Sequence, residues 1–175
     1  MELNNLQAQL ADSSNNKDKW DPPLCGEIDL VIKQDGSWHY VGSPIGRMSL
    51  VKLFASVLRK ENEQYMLVTP VEKVIIRVED VPFVVTQWNN LQGVLYFTTS
   101  LGDEVPVNQQ HPVELKRHNL TGEIIPYCLI RDELWARLHQ NVFYQLAAAG
   151  SIGHWQGCDH LLIRSGEYQF TLGEV

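Results

Sequence analysis

The chain has 175 residues, of which 44% are hydrophobic and 20% are charged, and its formal net charge is −7. This length and composition are typical of a globular protein with one substantial core or two small ones packed together. The acidic balance disfavours binding to the phosphate backbone of an extended nucleic acid, but it does not exclude a small anion in a local basic pocket.

The apolar stretches are short and are interrupted by charged residues or prolines, so no segment is predicted to span a bilayer. The chain begins with Met-Glu-Leu-Asn-Asn, which lacks the basic and apolar regions of a secretory signal. The cysteines, Cys25, Cys128 and Cys158, are widely spaced and form no C-x-x-C pair, which disfavours a disulfide framework. We therefore expect a cytoplasmic protein without membrane contact.

Residues 1–19 are polar, and their regular feature is the helical spacing of Leu3, Leu6 and Leu10. This spacing predicts a short helix, followed at residues 12–19 by a composition that is typical of flexible segments. We assign residues 1–19 as a flexible N-terminal lead-in and expect the folded part to begin at Trp20.

Residues 20–80 are predicted to form an N-terminal α+β domain. Residues 27–33 alternate between apolar and polar side chains, and the Asp35-Gly36 pair favours a tight hairpin turn into a second strand. Arg47 then precedes a predicted helix that Ser49 can cap. The helix carries one apolar face, made by Leu50, Leu53, Phe54, Val57 and Leu58. Two further strands are predicted at residues 65–68 and 74–78.

Residues 81–175 are predicted to form a C-terminal β-rich domain with one long helix. Strands are expected at residues 83–88, 94–99, 105–107, 113–115 and 124–130, and a closing hairpin at 160–163 and 168–172. The helix is expected to begin near Asp132 and to end at Gly150. Its apolar stripe would consist of Leu134, Leu138, Val142 and Leu146.

The two halves share an order of elements that indicates an internal duplication. Aligning Arg47 with Arg131 brings the apolar residues at 50, 54 and 58 onto those at 134, 138 and 142. In both halves a strand is followed by an arginine, a helix and a hairpin. The predicted fold class is therefore α+β, rich in β-structure, with duplicated β–helix–β units.

Arg47 and Arg131 are each placed by this alignment at the start of a helix. The unpaired N–H groups of a helix start already carry partial positive charge, so a cation there is locally unfavourable. One interpretation is that each arginine binds an anion, such as a phosphate, together with these N–H groups. The alternative is an ion pair with a nearby carboxylate, namely Asp132 or Glu133 for the second arginine and Glu72 or Asp80 for the first.

No metal or catalytic motif stands out. Residues 154–160 hold two histidines, a cysteine and an aspartate, but their spacing matches no closed zinc pattern and favours a polar loop. Cys25 has no recognisable partner base, and the scattered carboxylates do not form an evident acid–base pair. We expect no cofactor and no catalytic activity.

From Trp20 onward the sequence resembles an uncharacterised bacterial family, domain-of-unknown-function family 1285. The resemblance rests on the segments WDPPLCG (20–26), DGSWHY (35–40), GSPI (42–45), LVKLFA (50–55), LVTPVEK (67–73) and VEDVPF (78–83). The second half matches more loosely, through Pro126-Tyr127, Arg131, Leu134 and residues 165–173.

The resemblance implies two related domains, the C-terminal one similar to a pleckstrin-homology-like barrel, with a nucleotide-like ligand at the domain interface and a role in signal transduction. The motif positions that it implies for this ligand are Trp38, Tyr40, Arg47, Thr69, Glu72, Lys73, Asp80, Phe83 and Arg131. We therefore expect a non-catalytic protein that binds a nucleotide-like or other anionic ligand. Two alternatives stay open: a protein–protein adaptor, and a small hydrolase that uses Glu72 or Asp80.

Overall fold

A computed structural model of the chain describes residues 2–11 and 17–175. The chain divides into two compact units, Met1–Glu79 and Asp80–Val175. The division falls one residue before the boundary expected from the sequence. The fold class is α+β and rich in β-structure.

The first unit contains one six-stranded sheet and two α-helices. Its strand order is β3-β2-β1-β6-β5-β4, in which the central pair β1 and β6 is parallel and the other pairs are antiparallel. The elements are α1 (Glu2–Ala11), a 3₁₀ turn (Lys17–Lys19), β1 (Leu24–Ile32), β2 (Trp38–Tyr40), β3 (Ser43–Pro44), α2 (Met48–Ala55), β4 (Leu58–Glu61), β5 (Gln64–Val68) and β6 (Lys73–Val78).

The hairpin of β1 and β2 forms as its sequence predicts. Ile28, Leu30 and Ile32 are buried on one face of β1, as the alternation requires. The turn closes through Gly36, whose φ of 89° lies in the region that glycine tolerates best, and its N–H donates to the Lys33 carbonyl over 2.9 Å. The alternation leaves the intervening side chains of β1 on the opposite face of the sheet.

The N-terminal helix α1 is a packed part of the first unit. Leu3, Leu6 and Leu10 are 8%, 2% and 4% exposed, and α1 packs on α2. The leucine spacing predicted this helix correctly, but the polar composition of residues 1–19 gave no sign that it would be anchored. Residues 12–16 of the expected flexible lead-in lie outside the described residues, and residues 17–19 form the 3₁₀ turn.

Helix α2 is shorter than its apolar pattern suggests. It ends at Ala55, and the chain then turns so that Leu58 begins strand β4. Val57 and Leu58 are buried as expected, but from a turn and a strand rather than from a third helical turn. Residues 60–63 belong to the β4–β5 hairpin, with Asn62 and Glu63 at positive φ.

The second unit contains a six-stranded sheet, a three-stranded sheet and one helix. The strand orders are β10-β11-β12-β7-β8-β9 and β13-β14-β15. The elements are β7 (Phe83–Leu91), β8 (Val94–Thr99), β9 (Glu104–Pro106), β10 (Val113–Arg117), β11 (Ile124–Arg131), β12 (Leu134–Leu138), α3 (Gln140–Ala149), β13 (Ser151–Trp155), β14 (Cys158–Ser165) and β15 (Tyr168–Glu174). The smaller sheet and α3 pack on the larger sheet.

The predicted long helix from Asp132 is wrong for all residues before Gln140. Residues 134–138 form strand β12, and Asp132 lies in the preceding tight turn with a φ of 50°. Apolar residues four positions apart share a face in a helix and also in a strand, because four is a multiple of the strand period. Helix α3 begins at Gln140, where the His139 Nδ1 accepts the Asn141 N–H over 3.1 Å as an N-cap.

Arg131 therefore ends a strand and does not precede a helix, so the predicted alignment of Arg131 with Arg47 is wrong. The duplication itself is confirmed at a different register. Strands β1 to β6 and strands β7 to β12 have the same order, each with its first and sixth strands parallel at the centre. In the first unit α2 connects the third and fourth strands, whereas residues 107–112 make this connection without a helix in the second unit.

Within the described residues, no helix is both long enough and apolar enough to cross a membrane. The longest ones, α1 and α3, have 10 residues each.

Candidate functional site

The face of the first sheet opposite its buried leucine and isoleucine side chains carries an open depression of about 760 Å³. Val31 of β1 lies directly opposite His39 of β2 on one side and Arg77 of β6 on the other, which places these three residues in a row across three strands. The depression is lined by Asp29, Val31, Lys33, His39, Gly42, Arg77, Val78 and Glu79. We call this surface the open-face site.

Two ion pairs lie in the open-face site. The Arg77 guanidinium contacts the Asp29 carboxylate, and the Lys33 Nζ lies 3.6 Å from the Glu79 Oε2. The Arg77 and Asp29 side chains are 57% and 52% exposed, and exposed ion pairs contribute little to stability because water screens both charges. The exposed Arg77 guanidinium can therefore exchange its present partner for the acidic group of a ligand at little cost.

His39 is held by a short hydrogen-bonded chain at the rim of the same surface. Ser37 donates its hydroxyl proton to the Asp35 Oδ1 over 2.6 Å, and its Oγ lies 3.0 Å from the His39 Nε2. The Ser37 hydroxyl and the Ser37 backbone N–H, which donates to the same oxygen over 2.9 Å, together hold the pKa of Asp35 below its ordinary value. Because the serine proton goes to the aspartate, the His39 Nε2–H donates to Ser37, which is the reverse of a nucleophilic serine arrangement.

Arg47 lies at a helix start, as predicted. It is the N-cap residue of α2, is exposed, and makes no side-chain capping bond to the helix. The first turn of α2 contains no acidic residue. Arg47 does not line the open-face site.

Trp38 and Tyr40 belong to the opposite, buried face of the first sheet. Trp38 is 2% exposed and lies opposite Ile32, and the half-buried Tyr40 lies opposite Leu30. Among the described residues the Trp38 Nε1 has no hydrogen-bond partner. The structure thus places both aromatic residues on the core side of β2.

Thr69, Glu72 and Lys73 are engaged within the first unit. The Thr69 hydroxyl and the Glu72 carboxylate both bond to the side chain of Gln9 in α1. The Lys73 Nζ lies 2.8 Å from the Asp21 Oδ1 and 3.1 Å from the Glu61 Oε1. These bonds raise the pKa of Lys73, and the bond from Lys73 lowers the pKa of each carboxyl group.

Asp80 lies in a buried polar cluster of the second unit. Its Oδ2 accepts the Tyr127 hydroxyl over 2.7 Å and lies 3.5 Å from the His118 Nε2, and its Oδ1 accepts the Asn119 N–H over 2.9 Å. Burial and the bond to Asp80 raise the pKa of Tyr127 well above its ordinary value. Asp80 and His118 are each 5% exposed.

The hydrogen bonds of His118 fix its chemical role. Its Nδ1 accepts the backbone N–H groups of Leu120 and Thr121 over 3.1 and 3.2 Å, so its proton resides on Nε2, which faces Asp80. A histidine whose free lone pair is used by the backbone is not available as a general base at that nitrogen. The cluster therefore holds the loop after β10 against the start of β7 and lacks the arrangement of a catalytic dyad.

Phe83 and Arg131 meet in the second unit. The Arg131 guanidinium lies 5.5 Å from the centre of the Phe83 ring, within the range of a cation–π contact, and Phe83 is 1% exposed. The nine predicted site residues are thus distributed over several separate environments, and none of them lines the open-face site.

The open-face residues could have been identified only in part from the sequence. The alternation of β1 indicates that Asp29, Val31 and Lys33 share a face. The addition of His39 and Arg77 depends on strand pairing, and the pairing of β1 with β6 joins residues more than forty positions apart.

The cysteines and the 154–160 segment show ordinary structural environments. Burial raises the pKa of the Cys128 thiol to about 12, and the charge of Glu174 raises that of Cys158, which keeps both thiols protonated near neutral pH. His154 faces Asp159 across the β13–β14 hairpin, whereas His160 is buried with its Nδ1 2.7 Å from the Thr171 hydroxyl. In residues 2–11 and 17–175, no three His, Cys, Asp or Glu side chains converge in a metal-binding arrangement.

Comparison with known proteins identifies relatives over nearly the whole chain. Residues 17–81 match the model of the N-terminal domain of a domain of unknown function, DUF1285, and residues 82–172 match the model of its C-terminal domain. No curated protein matches the chain.

Two solved structures are similar to this chain. A DUF1285 family protein from Silicibacter pomeroyi DSS-3 is 37% identical, with a TM-score of 0.83 over 97% of this chain and 95% of the other. A DUF1285 family protein from Shewanella baltica OS155 is 31% identical, with a TM-score of 0.54 over 70% of this chain and 92% of the other. The two adjoining domain matches and these two structures show that the chain belongs to the DUF1285 family.

Proposed function

We propose that this chain is a non-catalytic protein that binds a small anionic ligand of the nucleotide class at the open-face site. The observation that carries the proposal is the depression of about 760 Å³ with Arg77 and Lys33 among its lining residues. This volume lies within the range of small-molecule sites, which extends from about 300 to about 1,000 Å³.

The residue types of the open-face site suit the parts of a nucleotide. Arg77 presents a planar guanidinium that can bond a phosphate through two N–H groups, and Lys33 adds a second positive charge. Val31 supplies an apolar surface between them for a planar ring, and Asp29 and Glu79 can accept the N–H donors of a base or the hydroxyl groups of a sugar. The pocket combines apolar and polar groups, as small-molecule sites commonly do.

The sequence placed the ligand elsewhere, at the interface of the two domains and beside Arg47 and Arg131. That placement stays a prediction, as do the role in signal transduction, the pleckstrin-homology-like character of the second unit and the cytoplasmic location. Arg47 still offers a competing anion site at the start of α2, so any test must separate Arg47 from Arg77.

Thermal unfolding in the presence of nucleotides separates the two arginines. We expect a nucleotide at about one hundred times its Kd to stabilise the wild type by about 2.7 kcal/mol, or about 5–10 °C in Tm. Arg77→Ala should abolish most of this shift, and the matched Arg47→Ala variant should retain it. Loss of the shift in Arg47→Ala alone would indicate that the nucleotide binds at the start of α2 and not at the open-face site. The absence of a shift with any nucleotide at millimolar concentration would contradict the proposed function.

One observation favours the adaptor alternative. Strand β13 is an edge of the three-stranded sheet, and its Ile152 is 65% exposed. An exposed edge strand can pair with a strand of another protein. A stoichiometric partner that is recovered with the wild type and lost with Ile152→Lys, without any response to nucleotides, would favour the adaptor.

The hydrolase alternative has less support from the geometry. Glu72 accepts a hydrogen bond from Gln9, and Asp80 is buried with three neighbouring donors. Each candidate carboxylate is thus directed at this chain's own side chains rather than at an accessible cleft.

A further inference from the structure

The turn between β5 and β6, at residues 69–72, binds the side-chain amide of Gln9 through both of its polar atoms. The Thr69 hydroxyl donates to the Gln9 Oε1 over 2.6 Å, and the Gln9 Nε2 donates to the Glu72 Oε2 over 2.8 Å. Thr69 is fully buried, so no water can replace a lost bond at its hydroxyl without rearrangement. We call this arrangement the 69–72 turn.

Hydrogen bonds inside the 69–72 turn leave the Thr69 hydroxyl able to donate one further hydrogen bond but not to accept one. Its Oγ1 already accepts the N–H groups of Val71 and Glu72, over 3.1 and 3.0 Å. Its proton is directed to Gln9, because the Glu72 carbonyl is farther away at 3.3 Å and already accepts the Thr69 N–H. The turn thus presents the Thr69 hydroxyl as a donor beside the Glu72 carboxylate as an acceptor. A primary carboxamide matches this pair, because its oxygen accepts and its NH₂ group donates. A carboxylate in place of the carboxamide would face the negative charge of Glu72.

Helix α1 combines this polar contact with an apolar one. Leu3, Leu6 and Leu10 recur at spacings of three and four and are buried where α1 packs on α2. A helix of 10 residues is too short to be stable alone in water. Its helical state therefore depends on docking, and a loss of the Gln9 bonds or of the leucine packing should release it as a unit.

We infer that the 69–72 turn and the adjoining apolar surface of the first unit form a docking site for an amphipathic helix that carries a primary carboxamide just before its last buried apolar residue. Helix α1 occupies this site within the same chain. It lies outside the segment that matches the family's N-terminal domain, whereas the 69–72 turn lies inside that segment. The inference does not depend on the open-face site, since the two surfaces share no residue.

Hydrogen exchange of the α1 amides in the full-length chain tests the carboxamide requirement. The isosteric change Gln9→Glu should accelerate exchange throughout α1 at least about tenfold, equivalent to about 1.4 kcal/mol, because two carboxylates would face each other. The control Gln7→Glu adds the same charge to the same helix and should leave exchange unchanged. Equal acceleration by both changes would overturn the inference.

A reciprocal exchange of the two side chains provides the sharper control. In the double variant Gln9→Glu/Glu72→Gln, the introduced carboxylate can accept from Thr69 and from the introduced amide, so donors and acceptors match again. We expect exchange in α1 to return to the wild-type rate within about threefold, that is, within about 0.65 kcal/mol. Failure of the double variant to slow exchange relative to Gln9→Glu would contradict the assigned pairing.

A labelled peptide with the sequence of residues 2–11 tests docking from outside the chain. In both proteins the tethered α1 competes with the peptide at an effective concentration of about a millimolar. Gln9→Glu weakens the docking of this tethered competitor. The wild type should therefore bind the peptide at least about tenfold more weakly than full-length Gln9→Glu. A peptide carrying Gln9→Glu should bind more weakly than the parent peptide. Equal binding to both proteins, or none to Gln9→Glu protein at millimolar peptide, would overturn the docking site.

Discussion

Asp80 and Asp29 carry the same carboxylate group but have different surroundings. Asp80 is 5% exposed and accepts hydrogen bonds from Tyr127 and the Asn119 backbone, so its negative charge is satisfied inside the second unit. The Asp29 side chain is 52% exposed and pairs with Arg77 at the open-face site. Burial thus gives Asp80 a role in stability and leaves Asp29 accessible to a ligand. From the sequence, Asp80 and not Asp29 had been expected to bind the ligand.

The bond from Tyr127 to Asp80 should make a measurable contribution to stability. Tyr127→Phe removes a donor from a buried carboxylate, and the expected loss is about 1–3 kcal/mol in the free energy of unfolding. Tyr144→Phe is the matched control, because Tyr144 is 59% exposed, and its loss should stay below about 0.5 kcal/mol. Chemical denaturation of both variants gives the comparison, and equal losses would contradict the role of the buried cluster.

Lys73 should make part of the stability depend on pH in the acid range. Asp21 and Glu61 have pKa values lowered from 3.8 and 4.5 by bonds from Lys73, so their contribution is present above these values and is lost as pH falls through the folded-state values. The pKa of Lys73 is raised from 10.5, so Lys73 stays charged throughout this range. The stability deficit of Lys73→Met should therefore be largest near neutral pH and shrink below about pH 4.5.

Urea denaturation between about pH 3 and pH 7 measures this deficit. Lys52→Met is the control, since Lys52 is an exposed residue of α2 for which no ion pair is formed within 4.0 Å among the described residues. Its effect should not change with pH in this range. A deficit of Lys73→Met that stays constant from neutral to acid pH would contradict the bonding of Lys73 to the two carboxylates.

Among the elements, the connection from α3 to β13 passes so close to β14 that only a glycine fits at position 150. A Cβ on Gly150 would lie 2.7 Å from the Ile163 Cδ1 and 3.0 Å from the Leu162 carbonyl oxygen. Gly150→Ala should therefore destabilise the protein by about 1–3 kcal/mol, because the backbone carbonyl cannot move aside easily. The midpoint of chemical denaturation reports this change.

Gly46→Ala provides the comparison for Gly150→Ala. Nothing lies within 4 Å of a Cβ built on Gly46, and its φ is not in the left-handed region. That variant should be neutral or slightly more stable, by about 0.4–1 kcal/mol, because alanine restricts the unfolded chain. Indistinguishable midpoints for the two variants would show that the α3–β13 passage is looser than described.

The elements that the sequence predicted well are those with a local signal. The Asp35-Gly36 turn, the Leu3, Leu6 and Leu10 helix and the cap at Gly150 each depend on residues a few positions apart. The residues of strand β12 were predicted to be helical because the spacing of their apolar side chains fits both the helical period and the strand period. Residues 134–138 do alternate between buried and half-buried side chains, but that pattern is short and was masked by the continuing stripe in α3.

At the scale of the whole molecule, the duplication is evident in strand order and weak in sequence. Both six-stranded sheets have a parallel central pair, which joins the first and last strands of each repeat. No local pattern reports such a pairing. The helix that marks the first repeat is missing from the second, which led the sequence comparison to pair α2 with the β12 and α3 segment.

The full set of open-face residues could not be predicted from the sequence for the same reason. A small anion bound by arginine side chains was expected, but the arginines chosen were the two that adjoin predicted helices. Arg77 lies in the middle of an apolar strand, Val-Ile-Ile-Arg-Val, and lines the open-face site because of its position beside β1. Strand pairing between distant segments thus decides which charged residues share a surface.

Nuclear magnetic resonance titration of the ¹⁵N-labelled protein with a panel of nucleoside mono- and diphosphates tests the proposed function most directly. We expect saturable shifts of the backbone amides of Val31, Lys33, His39 and Arg77, which Arg77→Ala removes and Arg47→Ala preserves. Shifts confined to the amides at residues 47–50, or no shift at millimolar ligand, would contradict it.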